Sequence, residues 1–179
     1  MIAISLCLLC GRGSIFFVQT RIGKDGREFS MYKFRTMVEG ADVIKQSWKN
    51  EAPELWAEYK NNNFKLKNDS RITKLGKILR KTSLDELPQI INIIKGDMNF
   101  IGPRPILPEE RGDYGKSIKS YIKIKPGITC LWQVNGRSDT DFQDRVIYDR
   151  LYVIKRSFKL DFFILLKTVL VVLTGKGSY

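Results

Sequence analysis

The spacing of apolar positions divides the chain into a strand-patterned beginning and a helix-patterned remainder. Met1 to Cys10 is almost wholly apolar and stops at Gly11-Arg12-Gly13. A bilayer span needs about 20 such residues, so this run cannot cross by itself. It is expected to be the tip of a membrane-dipping segment or else a buried strand. From Ser14, Ile15-Phe16-Phe17-Val18 leads toward Arg21-Ile22, Asp25-Gly26 supplies a hairpin turn, and Phe29 to Met37 returns. Period two puts Lys33 and Arg35 on one strand face with Phe34 on the other. That face is either two cations spaced like neighbouring phosphates or simply a solvated surface.

Val38 to Lys60 predicts one or two short helices broken near Pro53, and Asn61-Asn62-Asn63 a loop. Over Arg71 to Thr82, Ile72, Leu75, Ile78 and Leu79 share one face, with Arg71, Lys74, Lys77 and Lys81 on or near the other. Such a basic amphipathic helix either lies on an anionic surface or covers the core. A further helix carries Leu87, Ile90, Ile91 and Ile94 and ends near Lys95-Gly96. Asp139 to Lys155 and Leu160 to Thr174 also read as helical. The last run, flanked by Lys155, Arg156, Lys159 and Lys176, is too short for a comfortable span and reads as an interfacial helix or as the core helix. No internal repeat or low-complexity tract appears. The expected fold is α+β and mainly helical, with a short N-terminal β-hairpin and several amphipathic helices at one face. Residues 1–12 form a short apolar segment, and 13–179 one domain.

Charge sharpens this picture. Among 179 residues, 31 Lys and Arg face 19 Asp and Glu, a net charge of +12 that points to polyanions: nucleic acid, anionic lipid or phosphorylated small molecules. There is no histidine, which removes Ser-His-Asp and Cys-His nucleophile systems and most zinc sites. Cys7 and Cys10 form a C-x-x-C with no second pair, so they read as buried or lipid-facing thiols, and the lack of a disulfide framework suits a reducing, cytosolic side.

Chemistry concentrates at Lys81-Thr82-Ser83-Leu84-Asp85-Glu86-Leu87-Pro88-Gln89. Two adjacent carboxylates follow a basic run and precede a helical apolar run, so both can meet one cation or one phosphate-bearing substrate at a helix start. The bland alternative is a capping box, Ser83 with Glu86, and acids favoured there by the helix dipole. Downstream, Gly102-Pro103-Arg104-Pro105 holds Arg104 in a stiff loop, and a pre-positioned guanidinium suits a diphosphate because its fork binds two oxygens. Lys125-Pro126-Gly127 and Val134-Asn135-Gly136-Arg137 are two more basic turns.

With these motifs in order, the chain resembles the bacterial sugar transferases, the monotopic polyprenyl-phosphate phosphoglycosyl transferases. The matching blocks are Tyr32 to Met37 (YKFRTM), Leu79 to Gln89, Lys95-Gly96-Asp97-Met98, Gly102 to Pro105, Lys125 to Thr129, and Gln133 to Arg137. The resemblance implies transfer of a sugar 1-phosphate from a UDP-sugar to polyprenyl (undecaprenyl) phosphate, with UMP released, as the first membrane step of capsule, exopolysaccharide or glycoprotein glycan assembly. It implies Asp85 as nucleophile through a covalent intermediate, Glu86 with Asp85 holding Mg2+, and a monotopic enzyme with membrane-interfacial helices at the cytosolic face of the inner membrane. A histidine-free site of that kind needs a carboxylate to attack phosphorus and cations to stabilise the leaving UMP. Arg104, Lys33, Arg35, Arg80 and Arg137 are the expected substrate-binding cations. Members usually begin with a longer apolar segment broken by a Ser-Pro pair, so Met1 to Cys10 is expected to be a shortened form of it; Ser14 replaces a common proline, and Cys130 a usual glycine. The competing expectation is a non-catalytic basic module that keeps the fold and binds membrane or nucleic acid. Against nucleic acid, the aromatics lie inside apolar runs rather than between Lys and Arg on a stacking platform.

Overall fold

The computed structural model describes residues 13–61, 66, 68–136 and 142–174. The expectations for Met1 to Arg12, including Cys7 and Cys10, and for Arg137 lie outside the described residues.

The hairpin forms where the sequence places it. Strand β1 (Phe16–Ile22) pairs antiparallel with β2 (Glu28–Phe34), with Phe16 opposite Phe34 and Phe17 opposite Lys33. Asp25 and Gly26 both take left-handed φ, 58° and 73°, which is why an Asp-Gly pair closes this turn. The Phe16 and Phe34 rings stack at 5.7 Å and, with Leu79, form one apolar cluster. The returning strand stops at Phe34, three residues before the expected Met37, although Arg35 N–H still reaches the Ile15 carbonyl. The outer edge of β2 is covered by one side chain: fully buried Asn92 accepts from Tyr32 N–H at 3.1 Å and donates to the Ser30 carbonyl at 2.8 Å. Those two bonds occupy the middle of the strand's outer edge.

Helices α1 (Ala41–Glu51) and α2 (Pro53–Asn61) break at Pro53, as the proline dictates. Helix α3 (Lys74–Lys81) begins three residues later than the apolar spacing predicts, because Thr73 Oγ1 caps it by accepting from Gly76 N–H at 2.9 Å. Arg71 is therefore not on the solvent face of a helix. It is buried, bonded to Asp69 at 2.8 and 2.6 Å, and lies 4.5 Å over the Trp48 ring, so it ties α1 to the segment before α3. Ile78, expected on the apolar face, is 59% exposed, while Leu79 is buried. Gly76 packs on the backbone of Thr36 so tightly that a Cβ would overlap the Thr36 carbonyl. Only glycine lets α3 approach there, and that approach brings Arg80 to the hairpin.

After α4 (Gln89–Lys95), β3 (Asn99–Ile101) and β4 (Gly127–Thr129) form a two-stranded parallel pair, with α5 (Ile118–Tyr121) between them. Gly102 and Gly127 meet backbone to backbone, leaving no room for a side chain on either. Ile22 bridges to Ile106, and a core of Ile22, Ile106, Tyr114, Tyr121 and Val146 fills the space behind the hairpin. Helices α6 (Leu131–Asn135), α7 (Phe142–Lys155) and α8 (Phe158–Thr174) close the chain around Leu131, Val134, Tyr152 and Ile164. Helix α8 buries Ile164 and turns Phe158, Phe162, Leu166, Leu170 and Leu173 outward. No helix among the described residues is long and apolar enough to cross a membrane. The fold is α+β and mainly helical, as expected.

Candidate active site

Asp85 and Glu86 lie in a single 3-10 turn, Leu84–Glu86, just ahead of α4. The turn is launched by Ser83 at φ 56°, a left-handed conformation that a non-glycine residue adopts at some cost. Ser83 makes no side-chain cap bond, so the expected capping box does not form. Glu86 instead accepts from Lys33 Nζ at 2.7 Å, across 53 residues of sequence. The Glu86 carboxylate is thus turned toward a cation on β2 rather than back to the Ser83 backbone.

The turn opens on a cleft of about 560 Å³, lined by Lys33, Arg35, Arg80, Asp85, Glu86 and Arg104 together with Thr36, Trp132 and Gln133. That size suits a phosphorylated small molecule, since ligand pockets commonly run about 300–1,000 Å³. Six of the seven residues singled out from the sequence therefore share one concavity, brought by β2, α3, the 3-10 turn and the loop after β3. The Arg35 guanidinium and the Glu39 carboxylate both lie against Gly13 at the rim. Arg80 Nε donates to Thr36 Oγ1 at 2.9 Å, and burial pushes its guanidinium below the usual range, an effect that Asp85 and Asp69 oppose. Arg104 lies 5.7 Å from the Trp132 ring.

Asp85 is the electrostatic centre of this arrangement. Burial pushes its carboxyl above the usual range; Lys33 opposes that most strongly, Glu86 adds to it, and Arg80 opposes it. A carboxylate held in this way is poorly solvated and close to cations, the setting in which it acts as a nucleophile or takes a metal ion. Among the described residues no three His, Cys, Asp or Glu side chains group to form a metal cage. Two adjacent carboxylates beside an open cleft do fit Mg2+, which takes one or two protein carboxylates and completes its shell with water and substrate phosphates.

Trp132 and Gln133 were not singled out as site residues by sequence reasoning. They follow Cys130, whose buried Sγ accepts from Gln133 N–H at 3.4 Å; burial pushes that thiol up to about 12. They enter the cleft because β4 pairs with β3, a long-range contact with no local periodic signal.

Comparison with known proteins gives the chain its relatives by sequence. The sequence profile described as bacterial sugar transferase matches residues 1–175. The undecaprenyl-phosphate galactose phosphotransferase of Salmonella typhimurium is 46% identical over 168 residues, covering 93% of this chain and 35% of that protein. The exopolysaccharide production protein ExoY of Sinorhizobium fredii is 42% identical over 167 residues, covering 93% and 74%. The UDP-glucose:undecaprenyl-phosphate glucose-1-phosphate transferase of Klebsiella pneumoniae is 38% identical over 178 residues, covering 94% and 34%. The chain thus spans about a third of the length of two of these relatives and about three quarters of the third. It belongs to the bacterial sugar transferase family.

Proposed function

We propose that this chain transfers a sugar 1-phosphate from a UDP-sugar to polyprenyl phosphate, giving polyprenyl-diphosphate-sugar and UMP. The observation that carries this reading is the placing of one half-buried carboxylate, Asp85, in a cleft shared with four cationic side chains, Lys33, Arg35, Arg80 and Arg104. The activities named for the Salmonella and Klebsiella relatives support the substrate class.

In this reading an Asp85 oxygen attacks the phosphorus that bears the sugar. A bond forms between the carboxylate and that phosphorus, and the anhydride bond to UMP breaks. Polyprenyl phosphate then attacks the same phosphorus, takes the sugar phosphate and frees the Asp85 carboxylate. Arg104, with two parallel donors, fits the diphosphate, while Lys33, Arg35 and Arg80 offset the charge that collects on the departing UMP. Lys33 also keeps Glu86 in place and opposes the upward push of burial on the Asp85 carboxyl. Asp85 and Glu86 would hold Mg2+, which when bound neutralises charge on the diphosphate.

The second substrate is lipid-borne, and α8 supplies a surface suited to it. Phe162, Leu166, Leu170 and Leu173 form one outward apolar stripe, with Lys155, Arg156 and Lys159 at its start. A helix of this kind lies in a membrane interface with its cations on the headgroups. We place the enzyme as a monotopic protein at the cytosolic face of the inner membrane, where it would begin exopolysaccharide or capsule assembly. The test is UMP release from a panel of UDP-sugars with undecaprenyl phosphate present. UMP is expected with at least one sugar and is lost in Asp85→Asn while thermal unfolding is unchanged; no UMP from any UDP-sugar would overturn the proposal.

A further inference from the structure

Behind the Arg104 loop lies a set of buried polar groups that the chemistry above leaves unused. Asp149 on α7 is 1% exposed, and Tyr114 and Tyr121 are as deeply buried. The stretch Pro103 to Ile106 has its main-chain polar atoms taken up by distant groups. The Pro103 carbonyl accepts from Gly127 N–H at 2.9 Å, and the Pro105 carbonyl accepts from the Arg21 guanidinium at 3.0 Å. Ile106 N–H donates to Tyr121 Oη at 3.2 Å. Arg104 itself is held at both ends: its N–H donates to Asp149 Oδ1 at 3.4 Å, and its carbonyl accepts from Tyr121 Oη at 2.9 Å. Asp149 is in turn fixed by Tyr114 Oη, which donates to Oδ2 at 2.7 Å.

The prolines make these two contacts decisive. Neither Pro103 nor Pro105 has an N–H, so Arg104 carries the one amide donor of the tripeptide. Its orientation about the local chain axis is set by what that donor and its carbonyl find. They find buried side chains from α5 and α7, not neighbouring backbone. Burial pushes the Asp149 carboxyl up to about 6. That cost is offset in part by the two hydrogen bonds Asp149 accepts, from Arg104 N–H and Tyr114 Oη.

We propose that Asp149 and Tyr121 are positioning residues for Arg104: they fix its main chain so that the guanidinium projects beside Trp132 into the cleft that holds Asp85, pre-aimed at a diphosphate. This deepens the transferase reading and rests on it for the identity of the diphosphate. Losing the orientation misplaces the guanidinium by a fraction of its length, and a misplacement of about 1 Å is worth up to about 100-fold in rate.

The test is a double-mutant cycle between Asp149→Leu and Arg104→Ala, with Tyr121→Phe as a milder second probe and Asp149→Asn as the conservative variant. It is read both as UMP formation and as calorimetric affinity for inorganic pyrophosphate, which requires no transfer chemistry. Asp149→Leu and Tyr121→Phe should each lower kcat/KM for the UDP-sugar by about 10- to 100-fold. They should also weaken pyrophosphate. Asp149→Asn retains an oxygen for Arg104 N–H and an amide for Tyr114, and should stay within about threefold of wild type. In the Arg104→Ala background the Asp149→Leu loss should disappear, because both act through one guanidinium. Additive losses, or a Tyr121→Phe protein with unchanged KM and pyrophosphate affinity, overturn the proposal. A wild-type protein that binds pyrophosphate but forms no UMP refutes the transferase reading instead, and the cycle is then scored on affinity alone; a wild type that binds no pyrophosphate refutes the aim assigned to Arg104.

Discussion

Replacing Lys33 by methionine removes one charge from the site while keeping most of the aliphatic stem. Lys33 is the strongest of the influences that hold the Asp85 carboxyl down against burial, and Glu86 pushes the other way. Without Lys33 the largest influence opposing burial is gone, so Asp85 stays protonated to higher pH and the acid limb of the activity profile moves up. For scale, two unit charges about 6 Å apart at an effective dielectric near 20 interact by about 2.8 kcal/mol. Lys33 divides its charge with Glu86 at 2.7 Å, so about half to all of that applies, a factor of about 10–100 in the ionised fraction on the acid side. The assay is kcat/KM for UMP release against pH in wild type, Lys33→Met and Glu86→Gln. The Glu86 variant must move the limb the other way, whatever it does to the plateau. An acid limb that stays in place or moves to lower pH in Lys33→Met refutes the coupling between these three side chains.

Arg71→Met should destabilise the fold by about 3–5 kcal/mol in urea, because it strands the buried Asp69 carboxylate, and adding Asp69→Ala should recover much of that loss. Wild-type stability should contain a component present at acid pH that is lost as pH rises from about 4 through about 6, because Asp149 is protonated in the folded chain where the unfolded chain is ionised. That component, up to about 3 kcal/mol, should be missing from unfolding curves of Asp149→Asn. Leu166→Gln with Leu170→Gln should weaken co-sedimentation with anionic vesicles by about 30- to 1,000-fold, from about 1–2 kcal/mol of apolar burial for each leucine. Unchanged vesicle binding would remove α8 from the membrane contact.

The hairpin was legible because its signals are local: Asp25-Gly26 sets the turn, and alternate residues face alternate sides. The ends of elements were less so. Helix α3 starts at Lys74 because Thr73 caps it, and Arg71 is withdrawn into an ion pair and an aromatic stack with Trp48, a residue 23 positions away. The cations of the cleft could be chosen by type and motif, and the flanking prolines announced that Arg104 sits in a stiff loop. The direction of Glu86 could not be chosen, since S-x-x-E fits a capping box as well as it fits a free acid. Lys33, brought alongside by β2, decides it. Trp132, Gln133 and the Asp149 and Tyr121 contacts depend on β3 pairing with β4 and on α7 folding back over the loop. Those contacts join residues 17 to 45 positions apart, and nothing in the spacing of side chains along the chain encodes them.

Mass spectrometry of the intact protein after a brief exposure to UDP-galactose or UDP-glucose, without the polyprenyl acceptor, tests the role of Asp85 most directly. The account predicts one added sugar phosphate per chain, mapped to the peptide containing Asp85, with UMP appearing in step and the adduct discharged once undecaprenyl phosphate is supplied. UMP formed at the wild-type rate by Asp85→Asn, or an adduct carried on any other residue, would contradict it.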